Sequence, residues 1–401
     1  MNDLLTLAWR NLFRNPRRTL ASLLTVAFGT AGLLIFQGFN TGIMNQYREN
    51  TIRGYYGYGQ VFSKGYYGRV TEKPWENWIP DWKEFDSKLK TLPDIRETFP
   101  RLSFYAFLVK GQVTLGGRGE GIVSERENDF FNQLNFISGG PLQSEDEVIL
   151  GKGLAESLDA KVGDTLTVLT QTIQGQLNGA DLRVAGIFHM GIKAIDDQYF
   201  RLSLSQAQTL LGTDRVESFS LKTSGVGSWE KVDSQIRGLS DRLEAIRFEI
   251  LDKIYYQNSI DFLEAQFSFI RFIIFLIVAL GIFNTIAVGL LERAGELGAL
   301  RANGESRRRA FQILLSESAL VGLIGGLLGV VVALVLWLAL SGGIPMPPGP
   351  GITRQYLIYL EIQPSHLIQG LILPMLATML ASLIPIRRLL NRSIPSLLRA
   401  T

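Results

Sequence analysis

Four long stretches without a single charged side chain decide what this chain can become. They run from Thr19 to Tyr47, Phe272 to Leu291, Ser318 to Thr353 and Ile362 to Ile386. A helix rising about 1.5 Å per residue needs roughly 20 mostly apolar residues to cross a bilayer, and each block is long enough. One such block would also fit a buried core helix. Four that obey a common charge rule do not.

The charge rule is an excess of basic residues in alternate short connections, the bias that orients membrane helices. Arg10, Arg14, Arg17 and Arg18 precede the first block. Arg293, Arg301, Arg307, Arg308 and Arg309 lie between the second and third, and Arg387, Arg388, Arg392 and Arg399 follow the fourth. Between the third and fourth blocks, from Ser341 to His366, Arg354 is the only basic residue. Both termini and the Arg-rich turn are therefore expected in the cytoplasm, with the polar stretch from Arg48 to Gln266 outside, because long domains translocate regardless of charge. The first block lacks a small-residue cleavage site and exceeds a signal-peptide core in length, so it reads as an uncleaved span. Ahead of it, Leu4, Leu5, Ala8, Leu12 and Phe13, with Trp9 at the boundary, suit an interfacial amphipathic helix or an ordered tail.

The polar stretch reads as a mixture of strands and helices. "QVFSKGYY" and "SFYAFLVKGQVTL" look like strands separated by the helical "WKEFDSKLKTL". "ESFSLKT" and "IRFEIL" likewise flank the helical "SWEKVDSQIRGLSDRL". These two β-α-β units bracket a portion richer in strands and turns, from about residue 120 to 212.

The chain offers little chemistry. A net charge of +3 gives no argument for nucleic acid, and the absence of Cys removes disulfides and thiol chemistry. His189 and His366 are the only histidines, too few for a usual zinc site, and no nucleophile-elbow sequence supports His189 as a catalytic base. "GKG" at Gly151–Gly153 fails as a phosphate loop: Asp146 stands where its first glycine belongs, and Gly153 where Ser or Thr would bind magnesium. "GGRGEG", Gly116–Gly121, is expected to be a turn. The aromatic-rich Gly54–Gly68 suits a strand edge with its loops, or contact with a ligand or lipid headgroups. No catalytic residue, metal ligand or bound cofactor is expected in this chain.

The order of these parts resembles that of the MacB/FtsX-type ABC transporter permeases, and most of all the lipoprotein-releasing (LolC/LolE) permeases. The likeness is carried by "AWRNLFRNPRRT", by "DEVILGKGLAESLDAKVGDTLTV" followed by "DLRVAGIF", by "ERAGELGALRANGESRRRAFQILLSESALVGLIGGLLG", and by "PIRRLLNRSIPSLLRA". It covers nearly the whole chain. The resemblance implies an α-helical membrane domain of four transmembrane helices, with a large α+β periplasmic domain inserted between the first and second. The expected segments are an interfacial helix at 1–18, spans at 19–42, 267–291, 311–340 and 367–386, and a periplasmic domain at 43–266. A cytoplasmic coupling hairpin at 292–310, a periplasmic loop at 341–366 and a cytoplasmic tail at 387–401 complete the division.

The Arg-rich turn carries its own reading. Leu297 and Leu300 stand three apart, so a helix continuing from the second span would show both on one face. Asn303–Gly304 supplies a helix stop, and helix restarts near Ser306, with Glu305 and Arg309 a compatible pair four apart. The outcome is a stiff hairpin with a compact tip. The resemblance implies that this elbow docks on a separate ATPase, which would hold the ATP and Mg. Glu292, Glu296, Arg301, Asn303 and Gly304 would then form the contact region, with Leu297 and Leu300 as apolar anchors. A solvated loop that merely fixes topology is the plainer alternative.

In the third block Gly322/Gly326 and Gly325/Gly329 form two overlapping small-xxx-small patterns, suited to close packing within one subunit or against a second copy. Glu317, near the cytoplasmic end of that span, is costly unless paired, and Arg271 at the outer start of the second span can reach the headgroups. The resemblance implies a permease subunit that pairs with another, alike or different. It would use a partner's ATP hydrolysis to extrude lipoprotein or lipid-like cargo from the outer leaflet of a bacterial inner membrane, with a periplasmic carrier as a further possible partner. MacB-like force transmission to a periplasmic pump, or FtsX-like switching of a wall hydrolase, are the other functions the same architecture serves.

Overall fold

A computed structural model of the chain describes residues 7–10, 12, 16–66, 73–127, 129–132, 134–347 and 355–398. The chain divides into two units: residues 1–45, 261–345 and 357–401 form one, and residues 46–260 with 346–356 the other.

The first unit is helical. Helices Pro16–Thr51, Asn258–Glu292, Arg307–Ala339 and Pro364–Leu390 follow the charge-free blocks, and each is long and apolar enough to cross a membrane. We call them the first to fourth spans. Large apolar side chains face outward along them, among them Phe28, Phe272, Ile277, Val335 and Leu380, as a lipid-facing surface requires.

Packing among the spans is set by glycine. A Cβ on Gly322 would fall 2.6 Å from the Met375 Cα, and one on Gly326 would fall 2.9 Å from the Gly370 carbonyl oxygen. Pro374, inside the fourth span, has no N–H to give that carbonyl, so the third span fits against a stretch whose helical bonding is already interrupted. Gly325 and Gly329 face the other way: Cβ atoms there would lie 2.7 Å from Val26 Cβ and 2.7 Å from the Ala27 carbonyl oxygen. The two glycine patterns thus serve two different neighbours within one subunit, the fourth span and the first. Of the N-terminal segment expected to be amphipathic, Leu4, Leu5 and Phe13 lie outside the described residues. Ala8 and Leu12 are buried, and Leu12 joins a cluster with Val26, Ile282 and Val321.

The second unit is built on ten strands: β1 Gly59–Ser63, β2 Ile95–Lys110, β3 Val113–Ile122, β4 Asn135–Gly139, β5 Glu147–Gly151, β6 Thr165–Gln171, β7 Leu177–His189, β8 Tyr199–Ser203, β9 Ser218–Thr223 and β10 Leu243–Arg247. Helices α1 (Trp82–Leu89), α2 (Leu204–Leu211) and α3 (Trp229–Leu239) pack against them. The strand order is β10-β1-β9-β2-β3-β8-β5-β7-β4, with β6 bridging β2 and β7. The two β-α-β units interleave: β1 lies between β10 and β9, and β9 pairs with the first half of β2.

Two expectations are corrected here. "SFYAFLVKGQVTL" is not one strand but the turn of a hairpin, β2 reversing into β3 through Gly111 at φ +60°. Gly116–Gly121 is not a turn but part of β3. Three of its glycines are set by packing, while a Cβ on Gly116 would meet nothing within 4 Å: a Cβ on Gly117 would lie 2.7 Å from Leu108 Cδ1, one on Gly119 2.6 Å from the rings of both Phe104 and Phe200, and one on Gly121 2.6 Å from Ala207 Cβ. Within the aromatic stretch Gly54–Gly68, Tyr66 is buried and its hydroxyl donates to Glu217 at 2.7 Å, while Tyr67 and Gly68 lie outside the described residues.

β2 changes partners along its length, pairing with β9 as far as Arg101, with β3 from Leu102 onward, and also with β6 at Phe107–Val109. At that crossover sits a fully buried row of alternating charge. Arg101 holds Glu127 through two bonds of 2.6 and 2.9 Å, and the Arg201 Nε lies 2.7 Å from Glu120. Nearby, burial tends to raise the Asp86 pKa, but bonds from Thr98, Lys90 and Arg126 outweigh it and hold the carboxyl below its ordinary value. A depressed carboxyl stabilises the fold above its unfolded pKa, about 3.9, and that contribution is lost as pH falls through the folded value. Asp86→Asn is therefore expected to lower stability at neutral pH but to lose less of it between about pH 5 and 2. Thermal melts of the purified chain at stepped pH check this; parallel pH profiles would contradict it.

Candidate functional site

The Arg-rich turn folds into an elbow. The second span stops at Glu292, and Arg293 (φ −97°, ψ 12°) breaks the helix for one residue before Ala294–Ala302 resumes it. That short helix ends at Asn303, and Gly304 takes φ +91°, a conformation suited to glycine. The third span starts at Ser306, whose hydroxyl accepts the Arg309 N–H at 3.2 Å and caps it.

What holds the elbow is internal. Arg293 donates to Glu296 at 2.9 Å and, on its other nitrogen, to Glu317 of the third span. This pairing is what makes a carboxylate tolerable at that depth. Arg301 donates to the carbonyls of Leu390 and Arg392 at 3.1 and 3.2 Å, at the end of the fourth span, where unsatisfied carbonyls favour a cation. Beyond them Ile394–Leu398 forms a short tail helix, which crosses the elbow helix at Gly298: a Cβ there would lie 3.0 Å from Leu397 Cβ.

Leu297 and Leu300 do not share an outward face. Leu297 is 4% exposed in a cluster with Leu290, Leu314, Ile386, Leu389 and Leu397, whereas Leu300 is 40% exposed. Three residues turn a helix by about 300°, leaving the two side chains roughly 60° apart, and Gly298, which meets the tail helix, lies on the side of Leu297 away from Leu300. Leu297 is thus an internal anchor. Glu292, Leu300, Asn303 and Gly304 are exposed, while Glu296 and Arg301 are half-buried and spend their polar atoms at least partly inside the chain. Sequence reasoning missed Leu397 as the partner of Gly298; the apolar spacing of Ile394, Leu397 and Leu398 was its only trace.

A second feature lies among the first, second and fourth spans: a groove of about 400 Å³, the size of a ligand cleft. Leu33, Leu34, Phe272, Phe275, Val278 and Leu373 line most of it. Of its polar groups, Gln37, Ser268, Arg271 and Gln369 come from the halves of the spans remote from the Arg-rich turn, and Thr30 lies in the other half of the first span. Gln37 donates to Gln369 at 3.2 Å. The groove is amphiphilic, apolar in its length and polar at one end. Among the described residues no group of three or more His, Cys, Asp or Glu side chains is placed to hold a metal ion.

Residues 19–239 match the MacB-like periplasmic core domain, and residues 268–394 match the FtsX-like permease C-terminal domain. The first match alone covers more than half of the chain. The chain belongs to the MacB/FtsX family of ABC transporter permeases. Among curated relatives it is similar to the lipoprotein-releasing system transmembrane protein LolE of Haemophilus influenzae, 23% identical over 77% of this chain and 79% of that one. It is equally similar to LolC of Neisseria meningitidis, 23% identical over 79% and 76% of the two chains. The ABC transporter permease YtrF of Bacillus subtilis is 21% identical over 84% of each. Among solved structures, the periplasmic region of MacB from Actinobacillus actinomycetemcomitans is similar at a TM-score of 0.36 and 14% identity, over 49% of this chain and 90% of that one.

Proposed function

We propose that this permease extrudes lipoprotein or another lipid-like molecule from the outer leaflet of a bacterial inner membrane, driven by a separate ATPase that docks on the elbow. ATP and Mg bind in that partner. Both termini face the cytoplasm, the ten-stranded domain is periplasmic, and a second permease subunit completes the membrane part.

The observation that carries this reading is the groove. An acylated cargo is apolar along its chains and polar at its head, and the groove is divided in a similar way: side chains that are apolar but for Thr30 along its length, two glutamines, a serine and an arginine at one end. The likeness to lipoprotein-releasing relatives supports the same cargo class.

Filling the groove tests it. Ala279 of the second span lines the groove, and Ala279→Trp is expected to leave basal hydrolysis by the co-purified ATPase unchanged, while stimulation by a triacylated lipoprotein falls at least tenfold in nanodiscs. Undiminished stimulation would place the cargo elsewhere.

A further inference from the structure

We propose that Glu317, acting through Arg293, is a positioning residue that makes the elbow helix part of the third and fourth spans. A stroke received at the elbow then reaches those two spans, while the second span turns on a hinge at Arg293. This rests on the reading of the elbow as the ATPase contact.

The hinge is visible in the backbone. The second span and the elbow helix are separated by one non-helical residue, Arg293, whose two dihedrals are the only ones that must change for the helices to bend against each other. Beyond that break, polar ties of the elbow reach the third and fourth spans. Arg293 reaches Glu317 in the third span, Arg301 reaches Leu390 at the end of the fourth, and Gly298 lies under the tail helix that follows it. The second span contributes mainly its last turns, through Leu290 and Ile286.

The tie at Glu317 is stiff for a physical reason. Arg293 and Glu317 are 9% and 7% exposed, and breaking a buried charge pair is strongly unfavourable. The third and fourth spans are themselves interlocked at Gly322 and Gly326. Elbow helix, third span, fourth span and tail helix therefore form one body. Along the second span, by contrast, Phe272, Leu276 and Ile277 are 61%, 48% and 63% exposed, and its buried contact with the first and third spans centres on Ile282, with Val278 and Ile286 beside it. Because that span walls the groove, rotation at Arg293 changes the groove's width.

The test uses the full permease with its ATPase in nanodiscs, comparing wild type, Glu317→Gln and Glu317→Asp. With Glu317→Gln the ATPase is expected to co-purify and to hydrolyse ATP at the basal rate, while lipoprotein released per ATP falls at least tenfold. Glu317→Asp, which keeps the charge, should recover most of it and guards against a simple folding defect. Release per ATP within twofold of wild type would overturn the proposal, as would loss of the ATPase from the Glu317→Gln complex, which would make the pair part of docking. If the wild-type complex hydrolyses ATP but releases no lipoprotein, it is the cargo reading that fails. The hinge is then read from hydrogen exchange at Arg307–Phe311 with the ATPase trapped by vanadate. Wild type should show a nucleotide-dependent change there and Glu317→Gln none; the same change in both would overturn it.

Discussion

Leu300→Asp is expected to separate the permease from its ATPase while leaving the permease folded. Leu300 is the large apolar side chain exposed on the elbow helix, beside exposed Asn303 and Gly304. A central apolar anchor of an interface is worth roughly 2–4 kcal/mol, and each 1.4 kcal/mol is a factor of ten, so affinity should fall about 30- to 1,000-fold. Leu297→Asp is a different experiment. Leu297 lies inside the cluster with Ile386, Leu389 and Leu397, so a charge there loosens the elbow from the fourth span and the tail helix. It should lower the melting temperature of the permease alone, which Leu300→Asp should not. Quantitative pull-down and thermal melts of both variants check the pair. An equal loss of stability in both would contradict the assignment of their faces.

The second large effect separates glycines that look alike in sequence. Gly329→Ala would put a Cβ 2.6 Å from Thr30 Cβ and 2.7 Å from the Ala27 carbonyl oxygen, forcing the first and third spans apart. Overpacking of this kind costs about 1–3 kcal/mol. Gly281 is also in a span, but a Cβ there meets nothing nearer than Thr25 Cγ2 at 3.9 Å. Alanine at that position should be neutral or stabilising by about 0.5–1 kcal/mol, because it restricts the unfolded chain and suits a helix. Melting of the two variants in the same detergent should therefore move in opposite directions, or leave only Gly329→Ala lowered. A destabilised Gly281→Ala with a tolerant Gly329→Ala would contradict the packing described.

These contrasts mark what the sequence could and could not disclose. The spans were legible because a charge-free block of that length has few other fates, and the Arg-rich turn because basic residues gather on one side. The helix stop at Gly304 and the cap at Ser306 were legible as local chemistry. The burial of Leu297 was not, since a spacing of three defines a face but not what lies against it; that depends on Leu397, a hundred residues later. Nor was the strand containing Gly116–Gly121: local glycine content says turn, and the rings of Phe104 and Phe200, brought in by β2 and β8, explain why Gly119 lacks a side chain there. The amphiphilic groove depends on three spans meeting, so its glutamines carried no mark in the chain order, and Arg271 was legible only as a residue able to reach the headgroups. The partner of Glu317 was foreseen only as a need, and Arg293 fills it.

The central claim is that this permease couples a partner's ATP hydrolysis to movement of lipid-anchored cargo. Its most direct test is the ATPase rate of the purified complex in nanodiscs, with and without a triacylated lipoprotein. The account predicts a rate that rises with lipoprotein and loses that rise in Ala279→Trp. A rate indifferent to lipoprotein, or an ATPase that does not co-purify with the permease, would contradict it.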